Sequence, residues 1–303
     1  MTFKLQNSIN QQVKLPKEKG VELFVKREDE VHPFVSGNKY RKLKYNIIEA
    51  KKEGLKTLLT FGGAYSNHIA AVASAGQISG FKTIGIIRGD ELASKVESNP
   101  TLRFAKQCGM AFKFVSRSLY REKTSEIILN NLKDEFDDFY LVPEGGTNNL
   151  AVKGCEEILT NKDASFDYIC CSVGTGGTIS GLINCSKPSQ QVLGFPALKG
   201  DFLQQDISKF AIKSHWKLIT DYHFGGYAKI NEDLVAFINQ FKKDYNIPLD
   251  PVYTGKLMFG VFDLINKNYF PKGSKILVIH TGGLQGIEGM NAVLKKKNLP
   301  IIE

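Results

Sequence analysis

Short apolar runs alternate with longer stretches of mixed polarity along most of the chain. Thr57 to Phe61, Lys82 to Ile87, Ala111 to Val115, Phe139 to Val142, Tyr168 to Val173, Val192 to Phe195 and Lys275 to His280 are short and apolar, and they read as buried strands. Between them lie helical patterns: His68 to Gln77, Thr101 to Cys108, the charged Glu122 to Phe136, Asn149 to Leu159, Glu232 to Tyr245 and Lys256 to Asn268. Strands alternating with helices imply βαβ units and a mostly parallel sheet. This many units predicts two sheets with a cleft between them. The chain shows no internal repeat and no low-complexity linker.

Composition narrows the picture. The 303 residues are 42% apolar and 23% charged, as in an ordinary globular protein. No apolar run approaches the ~18–20 residues needed to cross a bilayer. Met1 to Lys19 is polar and lacks the pattern of a secretory signal, which predicts a cytoplasmic protein without a membrane partner. The net charge of +9 is spread thinly, with one dense run at Lys295 to Lys297 and no nucleic-acid-binding motif, so a nucleic acid partner is not expected. Five cysteines without paired spacing argue against a disulfide framework or a zinc site, and Cys170 and Cys171 read as buried thiols. The five histidines show no metal-ligand spacing, so no metal is expected.

Four glycine-rich segments carry the candidate chemistry. SVGTGGTISG (Ser172 to Gly181) follows a strand and opens a helix. Glycines there let several N–H groups converge at a helix N-terminus, with Thr175 and Thr178 adding hydroxyls, which suits a phosphate monoester. It is neither a P-loop nor a GxGxxG turn, and a plain tight turn is an equal alternative. SGNKYRKLKYN (Ser36 to Asn46) places Lys39 in a polar turn ahead of a helix, close to Arg41, Lys42 and Lys44. Repulsion among these cations would favour a neutral, nucleophilic amine; the bland alternative is a basic helix start on the surface. FGGAYSNH offers Ser66, Asn67 and His68 at a helix mouth, either as ordinary caps or as a grip for a carboxylate. Tyr227 in FGGYA and Tyr253 in DPVYTGK sit in loops, and HTGG follows the last strand.

In this order, GNKYRKL, YSNH, GTGGT, DPVYTGK and HTGG resemble the group that contains 1-aminocyclopropane-1-carboxylate deaminase and D-cysteine desulfhydrase, within the tryptophan-synthase-β-like (fold-type II) pyridoxal-phosphate enzymes. The resemblance runs from about Val25 to Gly283. It implies a two-lobed, three-layer αβα fold with mostly parallel sheets: a large cofactor domain of residues 1–42 and 150–303, and a small domain of residues 43–149. It also implies a homodimer, a small amino acid as substrate and pyridoxal 5'-phosphate as cofactor. Lys39 would hold the cofactor as a Schiff base and shuttle the α-proton. Asn67 would bond the cofactor's phenolic oxygen, and Gly174, Thr175, Gly176, Gly177 and Thr178 would cradle its phosphate, with Lys42 as a second contact. Ser66, Asn67 and His68 would lie near the substrate carboxylate. Tyr227 and Tyr253 would face the substrate, and Thr254 and Thr281 would sit near the pyridine nitrogen.

The last pair points to an activity. Deaminases of this group carry a glutamate where this chain has Thr254 and an aliphatic residue where it has Thr281; desulfhydrase-like members carry hydroxyls. A carboxylate keeps the pyridine nitrogen protonated and the ring a strong electron sink, whereas a threonine cannot act as counter-ion. A weaker sink suits prompt expulsion of a thiolate. The resemblance therefore implies α,β-elimination from a small D-amino acid such as D-cysteine, giving pyruvate, ammonia and sulfide. The alternatives are the cyclopropane deaminase or a related deaminase or dehydratase, and a non-catalytic phosphate-binding protein. Two residues depart from the group's pattern: Tyr65 precedes the serine, and Ala228 follows Tyr227 where a glycine is expected.

Overall fold

The computed structural model describes residues 5–303, so Met1 to Lys4, the start of the polar leader, lie outside the described residues. Ten strands form: β1 (Asn10–Val13), β2 (Glu22–Lys26), β3 (Thr57–Gly63), β4 (Lys82–Arg88), β5 (Met110–Val115), β6 (Tyr140–Val142), β7 (Tyr168–Val173), β8 (Gln191–Pro196), β9 (Trp216–Leu218) and β10 (Lys275–Ile279). The α-helices are α1 (Asn38–Lys52), α2 (Asn67–Ser79), α3 (Pro100–Gln107), α4 (Arg117–Arg121), α5 (Glu126–Phe136), α6 (Asn149–Glu156), α7 (Gly177–Cys185), α8 (Phe202–Ser208), α9 (Glu232–Tyr245), α10 (Thr254–Asn266) and α11 (Gly286–Lys296).

The strands make two sheets, one of six in the order β1-β2-β10-β7-β8-β9 and one of four in the order β5-β4-β3-β6. Every pairing is parallel except β1 with β2. Side chains alternate between the two faces of each strand. In the large sheet Cys170, Leu193 and Val278 pack with α9 and α10, whereas Ile169, Val192 and Leu277 pack with α7 and α8. In the small sheet Leu58 and Ile87 join α1, α2 and α3, while Leu59 and Ile86 join α4 and α5. Helices thus cover both faces of both sheets, which is the expected three-layer arrangement, with two sheets as expected.

Some elements were not legible in the pattern. β1 reads NQQV, and Val13 is its single fully buried side chain, because it is an edge strand paired on one side. β2 and β9 carry charged residues among their apolar ones and were also missed. The helix expected over Glu122 to Phe136 starts later, at Glu126, where Ser125 caps α5 by accepting the N–H of Ile128 at 3.4 Å, and the short α4 before it was not expected. Lys39 is not in a turn ahead of α1 but is the second residue of that helix.

Helix α1 is held close to its neighbours by glycines. A Cβ on Gly154 of α6 would come within 1.9 Å of the Arg41 carbonyl oxygen, and one on Gly181 of α7 within 2.7 Å of the Val152 carbonyl. Gly37, just ahead of α1, has φ +56, and a Cβ there would lie 2.1 Å from the Thr281 carbonyl. Backbone therefore meets backbone from β10 through α1 and α6 to α7. All five cysteines are free, with Cys155, Cys170 and Cys171 buried and Cys108 and Cys185 partly so. Burial pushes every one of these thiols up, Cys155 to about 11 and Cys185 to about 12. No helix among the described residues is long and apolar enough to cross a membrane. Replacing Gly154 with Ala forces α6 away from α1 and is expected to cost about 1–3 kcal/mol, the range for overpacking a tight contact. A thermal melt of Gly154→Ala beside wild type measures this.

Candidate active site

The turns that follow β3, β6, β7 and β10 line one cavity of about 520 Å³ between the sheets. In parallel sheets ligands collect at these carboxyl ends. Lys39 enters from the first turn of α1, its Nζ held, among the described residues, only by Asn38 Oδ1 at 3.4 Å. Burial of the amine, with the Lys42 charge second, draws its pKa from the ordinary lysine value to about 7. The crowd of cations expected from the sequence is largely neutralised. Arg41 donates to Glu28 at 2.8 Å and Lys44 pairs with Glu157 at 2.7 Å, which leaves Lys42 as the neighbouring charge. Nor is the helix start a surface feature, since Arg41 and Lys42 are buried.

The β7–α7 turn has the form of an anion cradle. Gly176 takes φ +81, and α7 then starts at Gly177. Gly174 leaves room for Tyr253, whose ring would meet a Cβ there at 3.2 Å. Gly177 stands behind the cavity wall, against Thr147 and Lys42. The Lys42 ammonium donates to the Gly145 carbonyl at 2.9 Å, Thr147 Oγ1 at 3.1 Å and Thr175 Oγ1 at 3.4 Å. It thus fixes the turn from below. Asn38 Nδ2 donates to Thr178 Oγ1 at 2.8 Å and ties the lysine-bearing helix to the same turn. A free amine of lowered pKa beside a glycine turn with an adjacent ammonium fits a group that carries both an aldehyde and a phosphate.

Ser66 caps α2, and its Oγ accepts the N–H groups of His68 at 3.2 Å and Ile69 at 3.4 Å. An oxygen that accepts from these amides keeps its own proton to donate. The Asn67 amide points toward the turn after β10, with its Nδ2 2.7 Å from the Cβ position of Gly283. His68 reaches the cavity wall, but its Nε2 lies 2.8 Å from Thr60 Oγ1. Burial, then the charges of Lys39 and Lys42, hold its pKa well below the ordinary value, so the ring is neutral.

Tyr227 and Tyr253 both face the cavity, with ring centroids 6.3 Å apart. Burial raises both phenols, that of Tyr253 the further. Thr281 also lines the cavity, its hydroxyl 3.2 Å from Ser172 Oγ. Thr254 does not line it. Its hydroxyl donates to Asp250 Oδ1 at 2.7 Å and accepts the Asp250 N–H at 2.8 Å.

Two residues of DPVYTGK have roles the sequence did not show. Asp250 is buried behind the cavity and accepts the N–H groups of Val252, Tyr253 and Thr254 at 2.9, 3.0 and 2.8 Å. Burial raises its pKa. Lys256 is buried too, and its ammonium donates to the carbonyls of His223 at 2.9 Å and Gly226 at 2.7 Å. These carbonyls belong to the loop that carries Tyr227, where Phe224 (φ 54) and Ala228 (φ 55) sit in the left-handed region that glycine tolerates best. An aspartate starting an Asx turn, and a lysine one turn into an apolar helix, were the available signals.

Two outcomes follow. Lys39 binds its proton more weakly when folded, so its burial costs stability fully below about pH 7, and the cost fades as pH rises toward the ordinary lysine value. Lys39→Met is therefore expected to raise the melting temperature more at pH 6 than at pH 9, as calorimetry of the cofactor-free protein would show. Lys256→Met leaves two buried carbonyls unpaired and is expected to accelerate amide hydrogen exchange in residues 223–228 by roughly tenfold, the weight of one charged hydrogen bond.

Comparison with known proteins places these features. The model of the family described as "Pyridoxal-phosphate dependent enzyme" matches residues 7–282. The bifunctional D-cysteine desulfhydrase/1-aminocyclopropane-1-carboxylate deaminase, mitochondrial, of Arabidopsis thaliana is 31% identical over 88% of this chain and 74% of its own. The D-cysteine desulfhydrase of Klebsiella pneumoniae subsp. pneumoniae is 28% identical over 87% of each chain. Among solved structures, an ACC deaminase homologue superposes with a TM-score of 0.79 at 28% identity, covering 95% of this chain and 94% of that one. With a family match over nearly the whole length and a cavity that fits the cofactor, the chain belongs to the pyridoxal-phosphate dependent enzymes, among the homologues of ACC deaminase and D-cysteine desulfhydrase.

Proposed function

We propose that this enzyme is a lyase that eliminates the β-substituent of a small D-amino acid such as D-cysteine, giving pyruvate, ammonia and sulfide. The observation that carries the reading is the Lys39 amine, drawn to a pKa of about 7 inside the cavity that also holds the phosphate-suited turn. Lys39 would bear the cofactor, and Gly174 to Thr178 with Lys42 would hold its phosphate. Bound pyridoxal phosphate supplies delocalisation of the electron pair left at Cα. The hydroxyl of Thr281, which lines the cavity beside Ser172, supports elimination over ring opening; Thr254, engaged by Asp250, lies outside the cavity and adds nothing to this.

The chain's own groups would act as follows. The Ser66 hydroxyl proton, with Asn67 at the N-terminus of α2, binds the substrate carboxylate. Neutral Lys39 Nζ takes the α-proton, since an amine of pKa near the working pH is both available and basic enough. The Cα electron pair forms the Cα–Cβ double bond, and the Cβ–S pair leaves with sulfur. Tyr227, which lines the cavity beside Tyr253, would donate a proton to the departing thiolate. Hydrolysis of the released product gives pyruvate and ammonia. A cyclopropane substrate is the second reading, favoured by the Arabidopsis relative whose name carries both activities.

The test is an absorption spectrum of cofactor-loaded protein before and after D-cysteine, with pyruvate assayed in the same cuvette. A shifted band with accumulating pyruvate is the expected result, and Lys39→Ala should abolish turnover. A stable band without pyruvate would remove D-cysteine, and a four-carbon 2-oxo acid from 1-aminocyclopropane-1-carboxylate would establish the second reading.

A further inference from the structure

Beside the main cavity lies a second, of about 580 Å³, and the two share Gly63, Ala64, Tyr65, Arg88 and Glu144 along their common wall. The annex is lined by cations: Arg88 at the junction, then Arg117, Arg121 and Lys123. Two of these are matched. Arg117 pairs with Glu91 at 2.5 Å, and Lys123 with Glu144 at 3.3 Å; Glu144 also accepts the Tyr120 hydroxyl at 2.7 Å. Arg88 and Arg121 form no ion pair among the described residues. Charge in the annex is therefore positive after every carboxylate is counted.

Arg88 is the better placed of the two. It ends β4, a parallel strand whose carboxyl end opens on the site. Its Nη2 lies 3.7 Å from where a Cβ would stand on Gly63, in the glycine turn that leads to Ser66 and Asn67. Its Cζ is 5.7 Å from the centre of the Tyr120 ring, which walls the annex. The exposed Arg88 side chain thus borders both spaces. A planar fork of donors suits a carboxylate, sulfonate or phosphate.

We infer that the annex is a subsite for a second acidic group on the substrate. The α-amino-acid end occupies the main cavity, and a carboxylate, sulfonate or phosphate at the far end of the side chain meets Arg88, with Arg121 adding to the field. This rests on the reading that the main cavity takes an amino acid through Lys39. Small neutral amino acids then fill the main cavity and leave the annex to water, whereas acidic ones span both.

Isosteric pairs test this without any turnover: aspartate with asparagine, and glutamate with glutamine, each as both enantiomers. Cofactor-loaded enzyme is titrated with them, and dissociation constants are taken from the shift of the cofactor band. The acidic member of at least one pair should bind roughly tenfold tighter or more, the weight of a hydrogen bond to a charged group. Arg88→Gln should close that gap by weakening the acidic member selectively, and 0.5 M salt should narrow it, with the ordinary ~10 Å reach of surface charge at 0.1 M already curtailed. No preference in either pair overturns the inference, as does an Arg88→Gln change that weakens both members alike, which would put Arg88 on the α-carboxylate. D-Cysteine turnover in the same preparation reports the lyase reading separately. Turnover without an acidic preference sinks the subsite alone, and an acidic preference without turnover sinks D-cysteine alone.

Discussion

The close approach of α1 to its neighbours is the constraint on which the site depends. Lys39 and Lys42 are one turn apart, and their amines can serve one ligand only if α1 lies hard against both the glycine turn after β7 and the end of β10. Three glycines allow this. Gly37 passes the Thr281 carbonyl, Gly154 passes the Arg41 carbonyl, and Gly181 passes Val152. A methyl at any of these places would open a gap of an ångström or more. The cost would be felt twice, in lost packing and in the reach of a lysine whose pKa depends on being crowded.

Crowding also explains why this cavity holds unlike charges without neutralising them. Lys39, Lys42, Lys256 and Asp250 are all embedded, yet none makes a direct ion pair with another. Each is instead satisfied by backbone or hydroxyl groups: carbonyls for Lys42 and Lys256, amides for Asp250. Fixed dipoles hold charge in place while leaving it available to a ligand, which a tight ion pair would not. Lys39 is the exception, with only a long contact to Asn38, and it is the one whose chemistry the fold leaves open.

Much of the architecture was legible in the sequence because buried parallel strands are continuous apolar runs. Tyr168–Val173 was read at its observed limits, and β3, β4 and β8 fell within two residues of theirs. β1 escaped because an edge strand of NQQV has no apolar face to show. The site segments were legible as glycine turns, but their roles hung on depth. The three basic residues of GNKYRKL look alike in sequence, and only packing separates Arg41, paired with Glu28, from Lys39, which has a long contact to Asn38. Thr254 likewise reads as a cavity hydroxyl until Asp250, four residues earlier, is seen to hold it. Lys256 gave only the faint signal of a lysine in an apolar helix, and Arg88, at the end of a strand, gave none.

The five thiols have a bearing on chemical durability. Thiol–disulfide exchange needs a thiolate, and burial holds every cysteine of this chain above its ordinary pKa. Cys155 and Cys171 stand close enough to feel Lys39 and Lys42, yet both remain protonated. A disulfide or persulfide that reached these thiols would meet little anionic sulfur with which to trade. Burial thus makes Cys155, Cys170 and Cys171 poor partners for exchange with small sulfur compounds.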